Sequence, residues 1–330
     1  MIKRTTRSAQ AFDSFSGPSG KTFLSGALTL IDPIVTLPLM AQTAERDIFI
    51  RYGGGYSDSI QAWNVSYGDP TSSDAALQGT NNSAVGVVDV DLQPETWTAK
   101  LWTKSFVITK LDLSRMQQAS TDGRQPPVAL QQIYNDVIDA SWRKYRDKVV
   151  YQGRENTPGI VNNPSVTATT PTAAWSATGT TPLTMLNDLN SFQNQALAAS
   201  GYDAAEGMPN RMLIPYSVFG YLSQPMTEAG TISTIDYLEK YCIATKSGVP
   251  FKILPLPDPW VTGQGVGGTL RSVVYRNDPA ALDVWVPMPP QVSGVYQSSY
   301  KGGSYETVYH GNVGEVRWKR ETTAIYVDGI

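Results

Sequence analysis

One long amphipathic segment, residues 126–150, stands between two β-rich regions and constrains the fold most strongly. Two prolines suit the first turn of a helix, and apolar residues then recur at helical spacing. At 1.5 Å per residue, such a helix is roughly 37 Å long. We expect Ile133, Val137 and Tyr145 to lie in the core, and the charged residues within 143–148 to lie mainly on the wetter side.

The segments before this helix have β character. Residues 59–67 and 85–92 are separated by a tip rich in turn-forming residues, which predicts a long hairpin. Residues 96–110 form a further β stretch that leads back to the core.

The segments after the helix alternate between helix and strand, and they end in a region of alternating aromatic and β-branched residues. Residues 292–330 are expected to form a sheet whose apolar face packs on the long helix. The other predicted elements are a helix at 183–200, a strand at 211–214, a short helix at 215–223, helix or mixed structure at 235–244, and strands at 251–256, 270–275 and 281–286.

Composition favours a folded protein with extensive contacts to partners. Hydrophobic residues make up 41% of the 330 residues, whereas charged residues make up 17%, below the roughly 25% of typical soluble domains. A neutral surface is suited to interfaces, because burying charged side chains carries a desolvation cost. The chain has one Cys and one His, which argues against a disulfide framework and a structural zinc site.

The net charge of −3 provides no general attraction to nucleic acid. The N-terminal residues Lys3, Arg4 and Arg7 are an exception, since no acidic residue precedes Asp13. They form either a short phosphate-facing arm or a solvated tail. No stretch approaches the roughly 20 apolar residues that span a bilayer, so we expect no membrane partner.

Two chemical motifs favour structural interpretations. Gly263, Gly265 and Gly268 have dinucleotide-fingerprint spacing, but a predicted strand follows where that motif requires a helix. We therefore predict a turn and no cofactor. His310 and Cys242 could in principle act as base and nucleophile. Because the chain has only one of each, we interpret His310 as a structural strand residue and Cys242 as a small buried side chain. The sequence predicts no catalytic, metal-binding or cofactor-binding residue.

Four segments, in this order, carry a resemblance to the major capsid proteins of tailed phages and to the related encapsulins. The first includes the end of the long helix, a Gly-rich loop and a Gly-hydrophobic-x-Asn run. The second resembles a strand of that family that is followed by Pro and a short helix. The third resembles the strand after that helix, and the fourth resembles the last strands of the family. The segments are 147–164, 209–222, 248–255, and 314–320 with 324–330.

This resemblance implies an α+β capsid fold with four parts. A peripheral domain, in which the long spine helix lies on an antiparallel sheet, would comprise residues 28–56, 98–154 and 286–330, with the helix at 126–150. An apical domain would be inserted at 155–285, an extended β-hairpin loop would comprise 57–97, and an N-terminal arm would comprise 1–27.

The extended loop supplies the candidate contacts between subunits. We expect Trp63, Tyr67, Val88 and Val90 to contact a neighbouring subunit, and a locally folded hairpin core is the alternative for the same residues. Covalent crosslinking known in some relatives would need a Lys in this loop, and its tip has none. We therefore predict noncovalent lacing.

The same polypeptide would occupy pentamers and hexamers, which requires flexible joints. Gly53, Gly54 and Gly55, with Gly263 and Gly265, are the hinge candidates. Replacing Gly54 with Val is expected to distort closed shells while leaving subunit folding intact.

The implied function is self-assembly into pentamers and hexamers of an icosahedral shell around the double-stranded DNA of a tailed phage. Expected partners are further copies of the chain, a separate scaffolding protein, a portal, a decoration protein and weakly contacted DNA. The protein would reside in the virion after assembly in the host cytoplasm. An encapsulin-type compartment and a soluble β-rich enzyme or binding module are the alternatives.

Overall fold

The computed structural model describes residues 43–67, 90–111, 114, 130–177, 179–203, 205–226, 232–298 and 304–330. It divides into a larger unit of residues 40–106, 138–296 and 306–330 and a smaller unit of 1–39, 107–137 and 297–305. In the smaller unit the described residues include the start of the long helix. The predicted N-terminal arm, the tip of the extended loop and the predicted first turn of the helix lie outside the described residues.

The described residues form helices and strands in an α+β order. The helices are α1 (Ala44–Asp47), α2 (Leu130–Gln152), α3 (Pro182–Ala199), α4 (Tyr216–Leu222), α5 (Thr234–Tyr241), α6 (Ile243–Lys246) and α7 (Asp258–Val261). The strands are β1 (Phe49–Tyr52), β2 (Ser59–Tyr67), β3 (Val90–Ile108), β4 (Ala168–Thr169), β5 (Arg211–Pro215), β6 (Lys252–Leu256), β7 (Arg271–Tyr275), β8 (Leu282–Val286), β9 (Met288–Ser298), β10 (Ser304–Gly314), β11 (Val316–Trp318) and β12 (Ala324–Asp328).

The long helix α2 is confirmed over its described length, but its predicted core face is wrong in part. Val137 is 40% exposed, and Ile133 and Tyr145 are half-buried. The buried residues are Ile138, Trp142, Arg146, Asp147, Val149, Val150 and Tyr151.

The expectation that Arg146 and Asp147 face solvent is also wrong. Residues around α1 cover that side of the helix, because the backbone N–H of Thr43 donates to Asp147 and Arg146 pairs with Glu45. The C-terminal turns of α2 are therefore enclosed on several sides, which a single-face pattern does not predict.

A four-stranded sheet has the order β2-β3-β10-β9. The helix packs on it through Trp142, whose ring centroid lies 5.1 Å from that of Trp102 on β3. A Cβ at Gly311 on β10 would lie 2.6 Å from the Trp142 ring, so glycine is needed for the close approach. The predicted packing of α2 on the C-terminal region is confirmed at this point.

A five-stranded sheet has the order β4-β12-β7-β5-β6. Helix α3 and the segment containing α5 and α6 contribute to the hydrophobic core of this sheet, around Trp175, Leu189, Phe192 and Met212. Strand β12 pairs antiparallel with β7. Residues 324–328, which the prediction grouped with the peripheral domain, therefore share a sheet with strands from 155–285, and the domain boundaries stay a prediction.

A three-stranded sheet has the order β1-β8-β11. Strand β8 pairs parallel with β1 and antiparallel with β11. The C-terminal region predicted as one sheet is thus distributed over three, because β10, β11 and β12 each find different partners. The other predicted elements between 183 and 286 are confirmed, with the mixed element at 235–244 broken into α5 and α6 at Cys242.

Candidate functional site

The predicted hairpin is an antiparallel ladder of β2 and β3 with register from Ser59 opposite Thr98 to Tyr67 opposite Val90. The two β stretches predicted around residues 85–92 and 96–110 are, within the described residues, one continuous strand, β3. Since strands rise about 3.4 Å per residue, the hairpin carries its outer residues well away from its base.

The base of the hairpin is tied to the larger unit by backbone and side-chain hydrogen bonds. The N–H of Thr98 donates to the Glu315 carboxylate, and Asn312 Nδ2 donates to the carbonyl of Ser57 at 3.0 Å. Trp97 is buried beside these contacts. The hairpin is therefore anchored at its base.

Further along the hairpin, the predicted contact residues share one region. Trp63 lies opposite Pro94, and Tyr67 lies opposite Val90. Trp63 is 63% exposed, although tryptophan is usually well buried in a folded chain. Val88 lies outside the described residues. The predicted contact role stays a prediction, and the exposed indole is the feature of this region that a partner surface could cover.

A buried ion pair missed by sequence reasoning lies beneath the hairpin base. Arg317 and Asp283 are register partners on β11 and β8, and both are buried. Arg317 Nε donates to Asp283 Oδ1 at 2.7 Å, and Lys319 Nζ donates to Oδ2 at 3.1 Å. The guanidinium also lies 5.6 Å from the Trp97 ring centroid, so the pair links two strands to the hairpin.

A second ion pair joins neighbouring strands of the five-stranded sheet. Arg271 on β7 donates to both carboxylate oxygens of Asp328 on β12, at 2.7 and 2.9 Å. Its guanidinium lies 4.4 Å from the ring centroid of Tyr326.

Arg317 and Asp283 share one sequence signal, which is a charged residue flanked by apolar neighbours in a short strand. Which cation pairs with which acid depends on strand register.

A polar network joins α1, α2 and β7. The Tyr151 hydroxyl donates to Asp47 Oδ2 at 2.6 Å, and the Tyr275 hydroxyl donates to the Asp47 backbone carbonyl. The N–H of Thr43 donates to Asp147 Oδ2 at 2.8 Å. Burial raises the pKa of the Asp147 carboxyl above its ordinary value, with Thr43 and Arg146 acting in the opposite direction. Burial and the nearby Asp47 likewise raise the pKa of Tyr151.

The hinge candidates 53–55 form a loop between β1 and β2 with positive φ angles of 118°, 121° and 61°. The loop follows the end of β8, because the N–H groups of Gly53 and Gly55 donate to the carbonyls of Val286 and Pro287 at 3.2 and 3.1 Å. Trp285 Nε1 donates to the Gly53 carbonyl at 2.7 Å. A Cβ on Gly54 would lie 2.9 Å from the Trp285 ring. These contacts hold the loop in one conformation, and its hinge role stays a prediction.

The second hinge region contains Gly263 and Gly265 and lies between α7 and β7. Gly263 has a φ of 77°, and a Cβ on Gly265 would lie 2.5 Å from the Thr269 hydroxyl. The predicted turn is confirmed, because strand β7 follows the glycines.

His310 and Cys242 lie in different surroundings. His310 Nδ1 is 3.0 Å from the Thr103 hydroxyl in the four-stranded sheet. Cys242 is buried in the core of the five-stranded sheet, as predicted, and its thiol faces Glu239 O and the Thr245 hydroxyl. The structure therefore does not assemble them into a nucleophile and base.

Among the described residues, no group of His, Cys, Asp and Glu side chains is arranged to hold a metal ion. Within the same part of the chain, no helix has the length and apolar character to cross a membrane. The predicted arm residues Lys3, Arg4 and Arg7 lie outside it.

Solved structures from two phages and from a GTA particle have the same fold. The capsid of Myoviridae phage XM1 matches with a TM-score of 0.72 and 15% identity, over 93% of this chain and 98% of that chain. A structure of Microbacterium phage Oxtober96 matches with a TM-score of 0.60 and 9% identity, over 94% and 99%. The capsid of a native GTA particle has a TM-score of 0.58 and 9% identity, over 92% and 96%. The predicted capsid fold class is confirmed.

A family model described as Major capsid protein matches residues 73–330 of this chain. No match was found among curated protein sequences. The family match covers helix α2 and strands β3 to β12, and it identifies a structural shell subunit rather than an enzyme. The chain therefore belongs to the major capsid protein family, and it is a self-assembling protein of the virion shell with the fold of tailed-phage capsids.

Proposed function

We propose that this protein assembles into pentamers and hexamers that close into an icosahedral shell around the double-stranded DNA genome of a tailed phage. The observation that carries this proposal is the family match over residues 73–330. Assembly takes place in the host cytoplasm. Each contact between copies is heterologous, which means that it joins two different surfaces of the chain, so copies related by a closing rotation form a ring. Many modest contacts together stabilise the shell.

The hairpin of β2 and β3 is the proposed lacing element, lying over the peripheral domain of a neighbouring subunit. Trp63 supports this role, since it is 63% exposed in the single chain and tryptophan is enriched among residues that dominate interface energies. Tyr67, Val88 and Val90 complete the proposed contact. The ties at the hairpin base fix where the hairpin leaves the larger unit, which reduces the ordering cost of binding.

The proposed division into arm, peripheral domain, extended loop and apical domain follows the resemblance, with one addition. Strand β12 contributes to the sheet of the apical segment through its pairing with β7. The glycine loops at 53–55 and 263–265 are the proposed joints between these parts. Small φ and ψ changes there would adapt one polypeptide to pentamers and hexamers.

Further partners are proposed from the same resemblance. A separate scaffolding protein, a portal and a decoration protein would act with the shell. Lys3, Arg4 and Arg7 would face the enclosed DNA, and a few such cations would give weak, sequence-independent contact.

The test of the proposed function is size-exclusion chromatography with light scattering on the purified protein, followed by negative-stain electron microscopy. Closed particles, or isolated pentamers and hexamers, are the expected species. A sharply monomeric protein that never assembles, with crowding agents or a co-expressed scaffold, contradicts the proposal and favours a binding module.

A further inference from the structure

A cationic cleft lies where the end of α2 meets β3 in the larger unit. Its volume is about 600 Å³, and its lining includes Lys100, Lys148 and Arg154, with Glu155 as the acidic side chain. Lys100 and Lys148 are exposed, and Arg154 is half-buried. Within the described part of the chain, none of these three cations forms an ion pair. The cleft therefore carries a surplus of positive charge.

The guanidinium of Arg154 has incomplete hydrogen bonding. Its Nη2 donates to the Val313 carbonyl, but Nε and Nη1 are shielded from solvent and, among the described residues, have no hydrogen-bond partner. Burial lowers the pKa of the guanidinium, with Tyr145 and Glu315 acting in the opposite direction, so burial outweighs these two neighbours and disfavours the charge. An anion entering the cleft would offset this cost, because interactions between charges strengthen where water is excluded.

The extended loop has the opposite charge. Between Arg51 and Lys100 the sequence contains no Lys and no Arg. The acidic residues of this stretch are Asp58, Asp69, Asp74, Asp89, Asp91 and Glu95. Every charged side chain of this stretch is therefore acidic, in a protein whose net charge is only −3.

The described part of the hairpin leads away from the cleft. Lys100 lies on β3 near the hairpin base, and the outer described pair, Tyr67 and Val90, is ten residues away along the strand. At 3.4 Å per residue this separation is roughly 34 Å. The proposed lacing function places the loop on a neighbouring subunit, whose own cleft is then the candidate receiving surface.

We propose that carboxylates of the acidic extended loop of one subunit bind in the cationic cleft formed by Lys100, Lys148 and Arg154 of a neighbouring subunit. This inference rests on the proposed lacing function, and it names the surface that receives the loop. Complementary charge between the loop and the cleft determines how the two subunits align and disfavours wrong pairings more than it adds affinity. Carboxylates of this loop are the proposed occupant because the loop carries acidic residues and no Lys or Arg between residues 52 and 99.

The first test uses shells assembled from a mixture of unlabelled and ¹⁵N-labelled chains. A water-soluble carbodiimide joins lysines to carboxylates in direct contact, and mass spectrometry identifies the joined peptides. We expect peptides that join Lys100 or Lys148 to acids of 58–95 with one light and one heavy partner. Links confined to one chain, or to acids outside the loop, overturn the inference while the shell itself stands. If no shell forms, the proposed function fails and the inference fails with it.

The second test compares two matched double variants. Lys100→Gln with Lys148→Gln removes the exposed cations of the cleft, whereas Lys110→Gln with Lys144→Gln removes two exposed cations elsewhere. We expect shells of the cleft variant to dissociate at lower NaCl concentration than wild type and to lose the inter-copy links, while the control resembles wild type. Equal salt sensitivity of the two variants overturns the inference. So does protection of Lys100 and Lys148 from acetylation in DNA-filled shells but not in empty ones, since that result assigns the cleft to nucleic acid.

Discussion

Arg317 on β11 and Asp283 on β8 face each other across an antiparallel ladder, and their buried side chains are joined through Arg317 Nε at 2.7 Å. The same guanidinium lies against the Trp97 ring at the hairpin base. This pair therefore couples the three-stranded sheet to the strand that carries the proposed lacing element.

Replacing Arg317 with Leu should destabilise the isolated subunit by about 3 kcal/mol, because the Asp283 carboxylate then stays buried with Lys319 as its remaining cation. Urea unfolding of dissociated subunits measures this loss. The double variant Arg317→Leu with Asp283→Leu should recover part of it, since no buried carboxylate remains and Lys319 keeps its hydrogen bond to the Pro279 carbonyl. As a control, Arg143→Leu breaks an exposed pair with Asp139 and should cost less than about 1 kcal/mol. Equal losses in the two single variants would contradict the assignment.

Replacing Trp63 with Ala should weaken assembly without changing subunit stability. The indole is exposed in the single chain, so its removal costs little there, whereas truncation of a central interface tryptophan typically costs about 2 kcal/mol or more. Light scattering against protein concentration measures assembly, and urea unfolding measures the subunit. Tyr202→Ala, which removes an aromatic ring that is 73% exposed outside the hairpin, is the matched control. A Trp63→Ala protein that assembles at the wild-type concentration would assign the indole no lacing role.

Replacing Gly54 with Val should destabilise the subunit itself, contrary to the sequence-based expectation that folding would be intact. The φ of 121° is unfavourable for a β-branched residue, and the new Cβ would lie 2.9 Å from the Trp285 ring. We expect a loss of about 2 kcal/mol in urea unfolding. Gly55→Asn is the control, since Asn tolerates the left-handed region and nothing lies within 4 Å of a Cβ at this position. Wild-type stability of Gly54→Val, with malformed shells in electron micrographs, would instead support the original hinge prediction.

The Asp147 carboxyl should produce an unusual pH dependence. Its pKa is raised in the folded subunit, so the folded state binds a proton more readily than the unfolded chain. Its favourable contribution is fully present below the unfolded pKa and is lost as pH rises through the folded pKa. From about pH 7 to about pH 4, the free energy of unfolding of wild type should therefore rise relative to that of Asp147→Asn.

Urea unfolding at a series of pH values measures this difference for Asp147. Asp139→Asn, at an exposed position of the same helix, is the control for changes in overall charge. A relative loss of wild-type stability on acidification would mean that the Thr43 N–H and Arg146 stabilise the carboxylate more than burial opposes it.

Local pattern was sufficient for many elements of this fold. The helical spacing in 183–200, for example, predicted α3 without information from distant residues, and in the structure the Thr181 cap and the following proline begin this helix. The short apolar runs of β5, β7 and β8 were also predicted from residue type, because β-branched and aromatic side chains suit a buried strand. The order of the four segments that resemble tailed-phage major capsid proteins was enough to predict the capsid fold.

The local sequence pattern did not predict which strands pair with one another or which surface covers a helix. Residues 292–330 have one continuous alternating pattern, yet β10, β11 and β12 join different sheets. The core face of α2 was mispredicted for a related reason, since Arg146 and Asp147 are buried by side chains and backbone that arrive from residues 43–45. Which surface covers a segment depends on contacts between residues about a hundred positions apart.

By itself, the sequence determined the α+β composition, the long helix, the hairpin and the acidic character of the extended loop, because propensity, periodicity and charge reside in neighbouring residues. The tertiary structure decided that Arg317 pairs with Asp283, that Trp285 restricts Gly54, and that Lys100, Lys148 and Arg154 line one cleft. These relationships depend on strand register and on side chains brought together from distant segments, and the free energy that selects them arises when those surfaces are buried together.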